Sequence, residues 1–172
     1  MNRLGRSLDV KNNKNAYAIA VAICLVLASA LLIAFLAFER PQPNPYMAIY
    51  LLDSNHKAGD YPEYVVANVN SSFSVYVDVE NHMGQTVNDA QVLVKVTNGT
   101  NPKFPLNVNA TQTFTGTVKD GATWETIATI SLNNPGNYLV AFELWIPNQS
   151  GPQFSGEFCV LNVQVAPQNA TT

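Results

Sequence analysis

Charge is scarce in this chain. Only 12% of its 172 residues are Asp, Glu, Lys or Arg, about half the usual share for a soluble domain. The nine Lys and Arg do not alternate with aromatics where they gather near the N-terminus, which argues against a nucleic-acid surface. There are two cysteines, Cys24 inside an apolar run and Cys159 far downstream. They are not expected to pair, so no disulfide framework holds the fold and an apolar core must do so. Only two histidines occur, His56 and His82, whereas a zinc site takes about three or four ligands. Glu80 and His82 supply two at best. A glycine-rich phosphate loop and a Gly-x-Ser-x-Gly elbow are both missing.

Against these gaps stands one long uncharged stretch, Ala16 to Phe38, whose most polar members are Tyr17, Cys24 and Ser29. As a helix rising ~1.5 Å per residue it spans roughly 34 Å, enough for a bilayer's hydrocarbon core. A cleaved signal peptide has a shorter apolar core, and here the Ala28-Ser29-Ala30 tripeptide lies inside the run, so an uncleaved anchor is expected. Arg3, Arg6, Lys11 and Lys14 precede the run against a single Asp9, while Glu39 and Arg40 cancel after it. The positive flank places the N-terminus in the cytoplasm and the rest outside. Small residues Ala18, Ala22 and Ser29 share one stripe of the helix, and Ala30 and Ala34 form another, as in helices that pack closely in membranes.

The expected organisation is a basic cytoplasmic tail (1–15), a transmembrane helix (16–38), a proline-rich stalk (39–46), a β domain (47–166) and a disordered tail (167–172). Pro41, Pro43 and Pro45 favour an extended polyproline spacer. Asn-x-Ser/Thr sequons at Asn70, Asn98, Asn109, Asn148 and Asn169 all follow the apolar run, which fits an exterior domain carrying N-linked glycans.

Beyond the stalk the hydrophobic period is two. Tyr46–Leu52 reads as a first strand, and Phe73, Val75, Val77 and Val79 alternate with polar residues in the next. Ala90, Val92, Val94 and Val96 repeat the pattern. Strands are also expected over 111–118, 124–132, 137–146 and 158–165, separated by turn signals such as Lys119-Asp120-Gly121 and Asn134-Pro135-Gly136. This predicts an all-β, immunoglobulin-like antiparallel β-sandwich on a single N-terminal transmembrane α-helix. Tyr138, opening the penultimate strand after a tight turn, is placed to form a tyrosine corner.

Several short motifs carry a resemblance. Tyr50-Leu51-Leu52-Asp53, Lys57-Ala58, Tyr61-Pro62, Glu80-Asn81-His82 and Val87-Asn88 resemble the exterior β domain of an uncharacterised, largely archaeal membrane-protein family, domain of unknown function 1616. Members usually carry several membrane helices, and an acidic residue follows the histidine where this chain has Met83. The resemblance implies a cell-surface setting and no assigned activity.

Candidate chemistry is thin. Asp78 and Glu80 share one face of one strand, whereas a glycosidase pair must flank a cleft; a solvated sheet face is expected. Residues 53–60 place Asp53, Asn55 and Asp60 where a loose calcium loop would want oxygens, but Lys57 and Ala58 fill the positions where oxygen and Gly are needed, so an ordinary polar turn is the default. Cys159 falls on the core face of the last strand and reads as a buried thiol. No catalytic constellation, cofactor site or metal site is expected.

The expected function is that of a structural or interaction component of the cell envelope, or an accessory subunit of a membrane complex. Its partners would be the lipid bilayer and other envelope or membrane-complex proteins. The alternative is an exterior ligand- or glycan-binding protein or a glycan-acting enzyme. An interface is expected where the third, penultimate and last strands lie side by side. Their outward faces would gather Leu93, Leu139, Ala141, Trp145, Phe158 and Val160 into one apolar patch, unless residues 98–112 or 147–157 fold over it.

Overall fold

The structure, a computed structural model, describes residues 7–38, 44–98 and 102–168. Residues 1–6 of the expected tail, 39–43 of the stalk, and 169–172 with the Asn169 sequon lie outside the described residues. The chain divides into two compact units, 1–43 and 44–172.

In the first unit a single helix, α1, runs Ser7–Phe38. It begins well before the apolar run, because no Gly or Pro interrupts the sequence between Ser7 and Ala16. Its stretch Ala16–Leu36 is long and apolar enough to cross a membrane and is exposed along its length.

The second unit is almost entirely β. Its strands are β1 (Tyr46–Leu52), β2 (Tyr64–Val66), β3 (Ser72–His82), β4 (Val87–Thr97), β5 (Gln112–Val118), β6 (Thr123–Ser131), β7 (Gly136–Asn148) and β8 (Gly151–Ala166). A three-stranded sheet has the order β1-β3-β6, and a five-stranded sheet has the order β2-β8-β7-β4-β5. The expected neighbours β4, β7 and β8 do lie side by side. Two features depart from expectation. Strand β2, only three residues long, shows no periodic signal in the sequence, and it pairs parallel to β8 through Tyr64↔Gln164 to Val66↔Ala166. Strand β8 starts at Gly151 rather than Phe158, because β7 and β8 form one long hairpin whose pairing reaches Asn148↔Gly151.

The alternating apolar residues of both sheets share one core. Val75, Val77 and Val79 of β3, Val92 and Val94 of β4, and Val140, Phe142 and Leu144 of β7 are buried in it. Each such side chain contributes roughly 1.5–3 kcal/mol by leaving water. Tyr138 packs against this core and donates its hydroxyl to Asn134 O at 3.1 Å, closing the expected corner.

Side chains close the rims where backbone pairing stops. The free edge of β1 is met by Cys159 Sγ donating to Ile49 O at 3.2 Å and by the Tyr61 hydroxyl donating to Leu51 O. Across the opposite rim Gln112 Nε2 donates to Thr129 O at 2.6 Å. At one end of the strands Asn81 joins two hairpin turns. Fully buried, it donates from Nδ2 to Gln85 O and Val118 O at 2.8 Å each, and accepts from Met83 N at 2.9 Å. Its backbone meets Gly121 N and Ala122 O as well.

Gly116 on β5 is required by a close approach. A Cβ there would lie 2.3 Å from the Trp124 ring of β6. Gly116→Ala should therefore destabilise the protein by about 1–3 kcal/mol through overpacking, read as a lower urea midpoint with unchanged slope.

Candidate functional site

The outward face of the five-stranded sheet is only partly the apolar patch expected from the sequence. Lys95 lies opposite Ala141, and Glu143 lies opposite Leu93 on one side and Phe158 on the other. This makes Lys95 and Glu143 diagonal neighbours. They form an ion pair, Nζ to Oε2 2.9 Å, with Lys95 5% exposed and Glu143 0%. The segment between β4 and β5 lies over them and brings in Leu106, itself buried. Leu106 N donates to Glu143 Oε1 at 2.5 Å, and Lys95 Nζ donates to Leu106 O at 2.8 Å. Trp145 Nε1 donates to Glu143 Oε2 at 3.0 Å, and Lys95 Nζ stands 5.4 Å from the Trp145 ring centroid. Both charges thus have hydrogen-bonding partners, without which burial would be prohibitive.

Two sequence expectations change as a result. Ala141 is fully buried and offers no contact surface. Trp145 is half-buried and held by its own chain. The physical reason is the pair itself: opposite charges on a sheet face recruit a loop whose backbone completes them. The signal was present as Lys95 and Glu143 on adjacent strands, but only the register shows that they meet.

Two parts of the face stay open. One is a row of aromatics, in which Phe104 stacks on Phe158 with centroids 3.8 Å apart, Phe154 lies 6.4 Å from Phe158, and Trp145 lies 5.9 Å from Phe154. Phe158 remains 40% exposed, Val160 38% and Val108 of the covering segment 40%. The other is a groove of about 730 Å³ at the end of the sheet where β4 and β8 finish and β7 begins. Leu139, Val160, Asn162 and Gln164 line it from the sheet, Tyr61-Pro62-Glu63 from the segment leading into β2, and Asn98 from the end of β4.

The outward face of the three-stranded sheet collects both histidines. His82 Nε2 lies 2.8 Å from Glu80 Oε1 and stacks on Tyr46, while the Tyr50 hydroxyl donates to Glu80 Oε2. His56 Nδ1 lies 3.1 Å from Glu125 Oε2, with its ring against Tyr76. The bonds from Tyr50 and then His82 hold the Glu80 carboxyl below its usual range. Burial first, and the Glu80 contact second, push the Tyr50 phenol up. Asp78 differs. Burial and then the Glu125 carboxylate raise its pKa, His56 opposing them, and its Oδ1 is buried without a partner. The face expected to be solvated around Asp78 and Glu80 is part-exposed and carries a bonded network, in which one oxygen of Asp78 finds no partner among the described residues.

Asp53 is buried, and its Oδ1 accepts from Asn55 N and Lys57 N at 2.8 Å each, while Oδ2 accepts from Asn55 Nδ2 at 3.2 Å. The Lys57 N–H contributes most to holding its carboxyl low. Its oxygens and the Asn55 amide thus close a turn around one another, and Asp60 makes no part of that set. Among the described residues no three His, Cys, Asp or Glu side chains gather as metal ligands. Cys159 is half-buried against the core, and burial pushes its thiol up to about 11. Asn70, Asn98, Asn109 and Asn148 are all exposed. Asn70 accepts from Val66 N through Oδ1, and Asn148 donates to Gln153 Oε1 at 2.6 Å.

No family model matches the sequence, and no curated protein matches it. Among solved structures, the CARDB domain of a Pyrococcus furiosus protein, determined by NMR, is 14% identical with a TM-score of 0.48, covering 72% of this chain and 96% of that one. A crystal structure of the same CARDB domain, in complex with di-metal ions, is 15% identical with a TM-score of 0.47, covering 72% and 90%. The PmoD soluble domain from Methylocystis is 12% identical with a TM-score of 0.34, covering 70% and 90%. No activity or ligand of this chain follows from likenesses of this order.

The buried pair gives a first prediction for this site. Glu143→Leu should cost about 3–5 kcal/mol, because it strands the Lys95 ammonium. Adding Lys95→Met should recover part of that loss, measured by urea unfolding. Asp78 gives a second. Its folded-state pKa is raised, so its contribution to stability is present at low pH and fades as pH climbs above about 4, through the raised value. Asp78→Asn should raise Tm at pH 7, with the advantage gone below about pH 4.

Proposed function

We propose that this protein is a membrane-anchored, extracytoplasmic immunoglobulin-like β-sandwich that acts by binding rather than by catalysis, as an interaction component of the cell envelope or an accessory subunit of a membrane complex. The observation that carries this reading is the apolar strip left uncovered on the β unit, centred on Phe158, in a chain whose N-terminal helix has the length and composition of a membrane span. Isolated exposed apolar residues are ordinary, but an aromatic row continuous with Val160 is the composition of a contact surface.

The basic residues before the helix and the sequons after it support an exterior placement of residues 44–172. The resemblance to the family of domain of unknown function 1616 points to the same setting. Its motif residues do structural work here: Tyr50 and His82 fasten Glu80, Asn81 joins two turns, Asp53 and Lys57 close a turn, and Tyr61 caps β1. They account for a shared shape without a shared reaction. A binding role is supported further by the groove's carboxylate content: among the described residues Glu63 alone lines it, whereas hydrolysis takes an acid–base pair flanking a cleft.

Phe158→Ser in the full chain should remove a stoichiometric copurifying membrane component from mild-detergent extracts of the native membrane, while shifting Tm by only a few degrees. Recovery of the same component with the variant, or no component with the parent protein, overturns the reading.

A further inference from the structure

The groove at the end of the five-stranded sheet differs from the aromatic row in its chemistry. Asn137 and Gln164 face one another across β7 and β8, Leu139 and Asn162 form the next pair, and Asn98 follows the end of β4 at the same end of the sheet. All four amide residues are exposed, and none of their side chains has a hydrogen-bond partner among the described residues. Each amide offers two donors and an acceptor with two lone pairs. Between them lie the aliphatic side chains of Leu139 and Val160; Tyr61 and Tyr138, whose rings pack against the core, complete that part of the lining. Both tyrosine hydroxyls are already engaged, with Leu51 O and Asn134 O, so the rings are held in fixed positions. Among the described residues the one ionisable carboxylate in the lining is Glu63, and no Lys, Arg or His lines the groove.

We infer that this groove binds a neutral oligosaccharide. A sugar ring presents apolar C–H faces and a rim of hydroxyls that both donate and accept. The first suit Leu139 and Val160; the second suit a set of unpaired amides. With no cationic residue in the lining, an anionic ligand such as a phosphate or a uronate has nothing to neutralise it. A lone Glu63 accepts from a hydroxyl but lacks the second carboxylate that hydrolysis requires, so the sugar is held and not cut. The volume of about 730 Å³ lies in the range of small-ligand sites and accommodates a few sugar residues. The inference rests on the exterior placement proposed above but not on the Phe158 contact.

The test uses the full chain in lipid nanodiscs, with no glycoside detergent present. Because Asn98 heads the sequon Asn98-Gly99-Thr100, the protein is made in a host without N-glycosylation. Malto-, cello-, manno- and chito-hexaose are titrated, with hexagalacturonate as the charged comparison, and side-chain amide NMR signals are followed. At least one neutral sugar should move the Asn137, Asn162 and Gln164 signals with a submillimolar Kd. Asn162→Ala and Asn137→Ala should each weaken it about tenfold or more, and Phe158→Ser should leave it unchanged. No response to any neutral sugar at about 10 mM, equal binding of hexagalacturonate, or full affinity in both amide variants overturns the inference. Loss of the membrane component in Phe158→Ser with no sugar response would leave the protein-contact reading standing alone.

Discussion

A carboxylate without access to water shapes the whole outer face of the larger sheet. Glu143 is surrounded by a cation, an indole N–H and a backbone N–H, and each is needed because an ionised group in a low-dielectric site has no solvent to fall back on. The indole keeps Trp145 on the face, and the backbone N–H pins the crossing segment at Leu106. Where that segment lies, the sheet is closed; beyond it, the aromatic row and the groove are open. The pair thus decides which parts of the face stay uncovered.

The sheets' edges are managed by a different means. Neither β1 nor β6 is paired on its outer side, and an unpaired edge invites another chain. Here a thiol, a phenol and a side-chain amide each occupy an edge carbonyl. These contacts link the two sheets at their rims without continuing either ladder. The same economy appears in the pairing of β2, whose brief parallel contact with β8 is extended by Gln164 N donating to Glu63 O and Ala67 N donating to Ala166 O. Pro62, which has no N–H to offer, stands just ahead of Glu63, so the chain leaves β8 there. Tyr61, Pro62 and Glu63 in turn line one side of the groove.

Much of this was legible from period-two patterning. Val75, Val77 and Val79 alternate strictly, and a strand buried on one face reads that way whatever its neighbours are. Tyr46–Leu52 was bounded correctly because prolines precede it and a polar turn follows. What escaped the sequence depended on register or on contacts between distant segments. Lys95 and Glu143 are ordinary surface residues until β4 and β7 are aligned. Strand β2 is too short for any period to show. Gly116 looks like a weakness in a Thr-rich strand, and only the Trp124 ring above it explains its presence. The groove likewise arises from three separate segments whose amides are unremarkable in the linear chain.

Asn81 bears on how the protein ages. Its amide nitrogen gives both of its hydrogens to carbonyl oxygens, Gln85 O and Val118 O. Deamidation would replace that donor with an oxygen facing two oxygens at a fully buried position. An Asn–His pair in a flexible segment is free to undergo this slow chemistry, whereas here the side chain is locked on both sides and its backbone is tied to the neighbouring turn. The same bonds that join the two hairpins therefore act as a preservative, and a molecule that has lost this nitrogen should be one that first came apart at that end.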